Sequence, residues 1–291
     1  MVDSHAHIQL ISKSPEEVIK NAKAEGVNFI LCCGIGVDDS GKILEFSNFE
    51  NVFLACGIHP LQQQDFDKVE EIEEIIRKNH DSKKIVAIGE TGLDFFKGDN
   101  PDLQIKIFEK HVEIAEKLKK PVVVHTRGSY KGNSAFSIAL DILSQSKVKA
   151  VFHCFTWGKD EMKSATEKGF FISFSGILTF SNDIQDVAKE TPLEYILTET
   201  DAPFLTPKPF RGKRENEPAF VKYVVEKIAQ IKNIDFMRFQ ELLRTTSKNF
   251  FYQPKYSRSL LTSTCWWLSC TLLRGWLCCT LLRFLCFFTF N

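Results

Sequence analysis

Five of the seven histidines in this 291-residue chain sit in phrases of one kind. His5 and His7 belong to Asp3-Ser4-His5-Ala6-His7, and His59 to Gly57-Ile58-His59-Pro60. His125 belongs to Val123-Val124-His125-Thr126-Arg127, and His153 to Val151-Phe152-His153-Cys154-Phe155. Two further apolar runs end in carboxylates, Ile88-Gly89-Glu90 and Leu197-Thr198-Glu199-Thr200-Asp201. Such endings are costly as plain core, because a buried polar group without a partner loses its hydration. Imidazole and carboxylate together are donors for a divalent cation. His5 and His7, two apart on an extended segment, point to one face and can grip one ion at ~2.0–2.1 Å. Alone, His-x-His is a weak signal; the other run ends give it weight. His80 and His111 fall in helical patterns and read as surface or packing residues.

These side chains need a scaffold that brings distant run ends together. Short apolar runs alternate with charged segments of helical period. The expected strands are Met1–Ser4, Asn28–Cys33, Val52–Cys56, Lys84–Gly89, Pro121–Val124, Lys149–Phe152, Phe170–Ser173 and Glu194–Thr198. Helices are expected near Pro15–Glu25, Ser40–Ser47, Phe66–Asn79, Pro101–Lys119, Ser134–Ser146, Lys159–Lys168 and Ser181–Lys189, with Glu217–Ile231 and Asp235–Asn249 closing the unit. This pattern predicts an α/β fold of the (β/α)8 TIM-barrel type, whose strand C-termini converge on one mouth. An open doubly wound sheet is the alternative, but no Gly-x-Gly-x-x-Gly follows the first strand.

Composition bounds the rest. The chain is 44% apolar and 25% charged, which excludes disordered and collagen-like classes. A formal net charge of +0 excludes binding to nucleic acid by bulk charge alone, so any phosphate binding is local. Cys32, Cys33, Cys56 and Cys154 read as buried free thiols, and the N-terminus lacks a secretory pattern, so a cytoplasmic protein is expected. No acidic residue occurs from Leu242 onward. We therefore expect a folded unit over 1–255 and an atypical apolar Cys/Trp/Leu-rich extension over 256–291. Disordered or acquired sequence is the leading reading of that extension, ahead of a membrane-surface tether and a packed addition. No catalytic role is assigned to it.

The phrases in order are DSHAH at 3–7, GIHP at 57–60, GETGLDFF at 89–96, VHTR at 124–127, HCFTW at 153–157, ISFSGILTF at 172–180 and TETDAPFLTP at 198–207, supported by RGKRENEPAF at 211–220. In this series the chain resembles the TatD family of metal-dependent hydrolases, within the amidohydrolase-like barrels, over about residues 1–252. The resemblance implies two divalent cations (Mg2+, Mn2+ or Zn2+). It places His5, His7 and Asp201 on one, His125 and His153 on the second, and Glu90 between them. His59 and Glu199 would lie in the pocket as supporting or substrate-contacting groups. The implied activity is a metal-dependent deoxyribonuclease, often a 3′-to-5′ exonuclease, with single-stranded DNA or 3′ ends as substrate.

Two cations set against Glu90, Asp201 and a hydroxide leave the site about +1, which draws a phosphodiester oxygen. Phosphodiester hydrolysis by metal-activated water is therefore expected, with Glu90 and Asp201 as catalytic carboxylates and Asp201 able to accept the water's proton. Arg127 and Arg211, the latter within Lys208-Pro-Phe-Arg-Gly-Lys-Arg214, are expected to hold phosphates, and Phe204 and Phe210 to stack on bases. Trp157 replaces a small residue and could narrow the mouth. Phe95-Phe96 replaces the frequent Tyr-Tyr. The alternatives are amide or ester hydrolysis on the same site, for instance of D-aminoacyl-tRNA, and an inactive metal-binding scaffold. No obligate protein partner is expected.

Overall fold

A computed structural model of the protein describes residues 1–252. The expectations for 256–291 lie outside the described residues.

Eight strands form one parallel sheet in chain order: β1 (Val2–Ala6), β2 (Phe29–Cys33), β3 (Val52–Cys56), β4 (Ile85–Asp94), β5 (Val122–Arg127), β6 (Ala150–Phe152), β7 (Phe171–Phe174) and β8 (Ile196–Thr198). Between and after them run α1 (Pro15–Ala24), α2 (Val37–Lys42), α3 (Val69–Lys78), α4 (Pro101–Leu118), α5 (Ala135–Ser144), α6 (Lys159–Glu167), α7 (Asn182–Glu190), α8 (Val221–Lys232) and α9 (Phe236–Phe251). This is the expected TIM barrel. Helix starts follow local chemistry. Ser14 and Asn100 accept from Glu17 N and Leu103 N, each ahead of a proline whose missing N–H costs nothing at that position.

Two apolar compartments hold the barrel. The outer one lies between strands and helices, with Ile30, Leu54, Phe108, Phe136 and Phe152 fully buried. The inner one fills the lumen with Val2, Leu31, Ala55, Ala87, Val123, Val151 and Leu197. The end of α9 adds Phe250 and Phe251 to it. Phe251 stacks on Phe29 at 4.9 Å and Phe250 meets Phe171 at 4.8 Å, so these rings sit over the strand starts.

The ring closes between β8 and β1 largely beyond the regular ladder. Asp201 N donates to His5 O at 2.9 Å and His7 N to Ala202 O at 2.8 Å. Thr198 Oγ1 donates to Val2 O, and the buried Asp3 carboxylate accepts from Thr200 N and Oγ1. Closure thus delivers Asp201 to the two histidines of β1.

Several boundaries differ from the sequence reading. The fourth strand continues five residues past Gly89, to Asp94. Its close pairing with β5 depends on glycine: a Cβ on Gly92 would fall 2.0 Å from His125 O, and Gly89 adopts φ +146 against Val123. The expected helix Ser40–Ser47 is instead α2 followed by a 3-10 segment, Ile43–Asn48. Cys32, Cys33 and Cys56 are buried free thiols, whereas Cys154 is half-buried. Among the described residues, no helix is long and apolar enough to cross a membrane.

Candidate metal centre

The ladder between β4 and β5 shifts register between Ile88 and Thr91, so Glu90 sits on a bulge, where a side chain is re-aimed. Its backbone N–H is held by Gly34 O at 2.9 Å. The carboxylate is 3% exposed and its two oxygens face different histidines. Oε2 lies 3.3 Å from His5 Nε2 and 3.4 Å from His7 Nε2. Oε1 lies 2.8 Å from His153 Nε2 and 3.0 Å from His125 Nδ1.

Asp201 joins the first group. Its Oδ1 is 3.6 Å from both His5 Nε2 and His7 Nε2, which are themselves 3.1 Å apart. In the second group His125 Nδ1 and His153 Nε2 are 3.2 Å apart. Adjacent ligands of an ion bound at ~2.0–2.1 Å are separated by roughly 3–3.6 Å, so both donor sets fit divalent cations. Two clusters able to hold an ion are His5–His7–Glu90 and His59–Glu90–His125. A third, His5–His153–Glu199, reaches behind His153.

Burial disfavours charge throughout this cluster, and opposite neighbours overcome it at most positions. Burial opposes a proton on His7, but Asp201 and Glu90 lift it to about 10. Against burial, Glu90 and Glu199 raise His153, and Asp94 and Glu90 raise His125. Glu90, despite burial, is drawn well below the usual carboxylate range by His153, His59 and His5. Burial and the neighbouring His153 lower His5, and burial lowers His59 to about 4. Imidazoles raised in this way would have to give up a proton before holding a cation.

His7, Glu90, Asp94, His125, His153 and Asp201 line a cavity of about 610 Å3, together with Leu10, Leu61, Lys97, Arg127, Ile177, Phe204 and Leu205. His59 lines it too. Its Nδ1 accepts from Leu61 N at 3.1 Å, which leaves Nε2–H directed inward, 3.5 Å from Glu90 Oε1. Arg127 lies over the exposed Phe96 ring at 4.4 Å. Phe204, half exposed, stands near His7.

Of the residues expected as supporting or substrate-contacting groups, Glu199 takes the supporting place, and others lie outside the cavity lining. Glu199 is fully buried behind His153, accepting from Cys154 N; its Oε2 and His153 Nδ1 lack hydrogen-bond partners among the described residues. Arg211 is absent from the cavity lining and lies over Phe180 at 3.7 Å. Phe210 stacks on Phe220, and Trp157 packs on Phe136 while donating to Thr126 Oγ1. Arg211, Phe210 and Trp157 each pack against an aromatic ring.

The sequence reading gave three residues no part in the site. Asp94 is buried beside His125, and its position four residues after Glu90 in GETGLD was the available signal. Lys97 gave none, lying past the expected strand end. His111, read as a surface or packing residue, is a packing one: it is fully buried, Nδ1 bonds Ile107 O and Nε2 accepts from Ile58 N, holding the turn that carries His59. Its helical spacing with Phe108, Val112 and Ala115 marks that inner face.

Residues 2–252 match the family model described as TatD related DNase. A protein named "Uncharacterized metal-dependent hydrolase" from Buchnera aphidicola subsp. Baizongia pistaciae is 37% identical over 268 residues, 88% of this chain and 97% of that protein. The "3'-5' ssDNA/RNA exonuclease TatD" of Salmonella typhimurium is 29% identical over 226 residues, 75% of this chain and 85% of that one. The crystal structure of YjjV, a TatD homologue from Escherichia coli, superposes with a TM-score of 0.78 at 23% identity, covering 87% and 98% of the two chains. With its barrel, its imidazole and carboxylate cluster and a match spanning the described unit, the chain belongs to the TatD-related DNase family of metal-dependent hydrolases.

Proposed function

We propose that this hydrolase cleaves phosphodiester bonds in nucleic acid, acting as a deoxyribonuclease on single-stranded DNA, from the 3′ end. The observation that carries the reading is Glu90, whose two oxygens face two separate histidine sets at the floor of an open cavity. In this reading His5, His7 and Asp201 hold one cation, His125 and His153 hold the other, and Glu90 is shared. Divalent ions held by these residues would polarise a phosphoryl oxygen and lower the pKa of bound water.

The chain's own groups supply the remainder. Asp201 lines the cavity and accepts the water's proton at a carboxylate oxygen. His59 donates from Nε2 to a phosphate oxygen. Lys97 and Arg127 form a cationic side that draws the backbone in, while Phe204 and Leu10 offer exposed apolar surface for a terminal base. The name of the Salmonella relative supports nucleic acid as the substrate class.

The test is product analysis with metal-loaded protein on 5′-labelled and 3′-labelled single-stranded DNA and on D-aminoacyl-tRNA. A ladder shortening from the 3′ end is expected. Intact DNA alongside released amino acid would replace the reading with ester hydrolysis.

A further inference from the structure

The proposed ligands do not all present the same nitrogen. His5, His7 and His153 offer Nε2, but His125 offers Nδ1. Its Nε2 points away, 3.2 Å from Asp94 Oδ2. The Asp94 carboxylate cannot readily turn aside. Oδ1 accepts from Phe96 N at 3.0 Å and Lys97 N at 2.9 Å. Its backbone is fastened to the buried Gln104 side chain, with Asp94 N donating to Oε1 at 2.8 Å and Gln104 Nε2 donating to Asp94 O at 3.1 Å.

An ionised carboxylate accepts hydrogen bonds only, so the imidazole nitrogen facing it must carry the proton. We propose that Asp94 is a positioning residue that fixes His125 as the Nε2–H tautomer and so frees Nδ1 for the cation on the His125–His153 side. This rests on the two-cation reading above. The same carboxylate anchors the N–H groups of Phe96 and Lys97, and Arg127 lies over Phe96. One buried group thereby ties an ion's ligand to the rim of the cavity.

An Asp94→Asn side chain can offer its amide N–H to Nε2 instead, which drives the proton to Nδ1. Removing a carboxylate behind a ligating imidazole weakens an ion by roughly 10–100-fold. Zinc titration of the metal-free protein against a chromophoric chelator reads both affinities. In D94N the affinity of one ion should fall by that factor, while the other stays within about two-fold. Unchanged affinity for both ions overturns the proposal, and so does equal weakening of the two. If D94N does not fold, histidine-selective 15N spectra of the zinc-loaded wild type decide. A proton on His125 Nε2 is expected, and a proton on Nδ1 overturns the assignment. Wild-type protein that binds two zinc ions yet leaves DNA intact would sink the nuclease reading while the role of Asp94 stands.

Discussion

The two ends of the barrel are built from the same strands by different rules. At the lower end Phe29, Phe171, Phe250 and Phe251 close a lumen filled with Val, Leu and Ala side chains. Such a plug needs volume and apolar surface, and many residue sets provide both. At the upper end His5, His7, Glu90, His153 and Asp201 are buried with few alternatives to one another. Cys154 and Asp201 adopt left-handed backbone angles, φ 44 and 55, of the kind that costs on the order of 1–3 kcal/mol each. Buried atoms of Thr91, His153 and Glu199 are without hydrogen-bond partners among the described residues. The lower end is organised for stability, whereas the upper end holds like and unlike charges in positions that stability alone would not select.

Breaking each end should therefore give opposite phenotypes. Glu90→Ala removes the carboxylate common to both histidine sets. Turnover on DNA should fall on the order of 10^3-fold or more, with cooperative unfolding retained. Retained wild-type rates at saturating metal, measured by single-turnover assay, would refute the role of Glu90. Phe250→Ala, at the other end, should lose about 3–5 kcal/mol in urea unfolding through cavity formation and leave metal content unchanged. A variant that kept its stability but lost metal would break the division.

His111 sharpens the comparison, because it is a buried histidine away from the candidate metal centre. Burial pushes its pKa down from 6.5 to about 4. Between these values the unfolded chain binds more protons than the folded one, so this group's contribution is full above pH 6.5 and is lost as pH falls toward 4. By pH 5 the loss is about 2 kcal/mol. His111→Gln, which keeps an acceptor for Ile58 N, should flatten that part of the stability profile in urea titrations at pH 7 and pH 5. An equal slope in variant and wild type would contradict the assignment. The smallest effect is expected at the rim. Lys97→Ala should lower the slope of log affinity against log salt for single-stranded DNA by roughly 0.7. An unchanged slope would remove Lys97 from phosphate contact.

The same division decides what could be read in advance. Barrel strands are buried on both faces, so each appears as a continuous apolar run, and a His or acid at its end stands out. That is why the positions of His5, His7, Glu90, His125, His153 and Asp201 were legible. Asp94 was not, because the strand reading stopped at Gly89, where glycine usually ends a run; here the pairing with β5 needs glycine at 89 and 92. Glu199 and Asp201 sit two residues apart, and only the closing seam at Thr200 and Ala202 directs one behind His153 and the other into the cavity. Arg211 read as a phosphate ligand from its charge run, but Phe180 lies within reach of its guanidinium. Contacts of this kind depend on chain separations that periodicity does not carry.

The central claim is that Glu90 is shared by two cations. Anomalous diffraction from crystals grown with Mn2+ or Zn2+ tests it most directly. Two peaks are predicted, one beside Oε2 among His5, His7 and Asp201, the other beside Oε1 between His125 and His153. A single peak, or ions bound away from Glu90, would contradict the account.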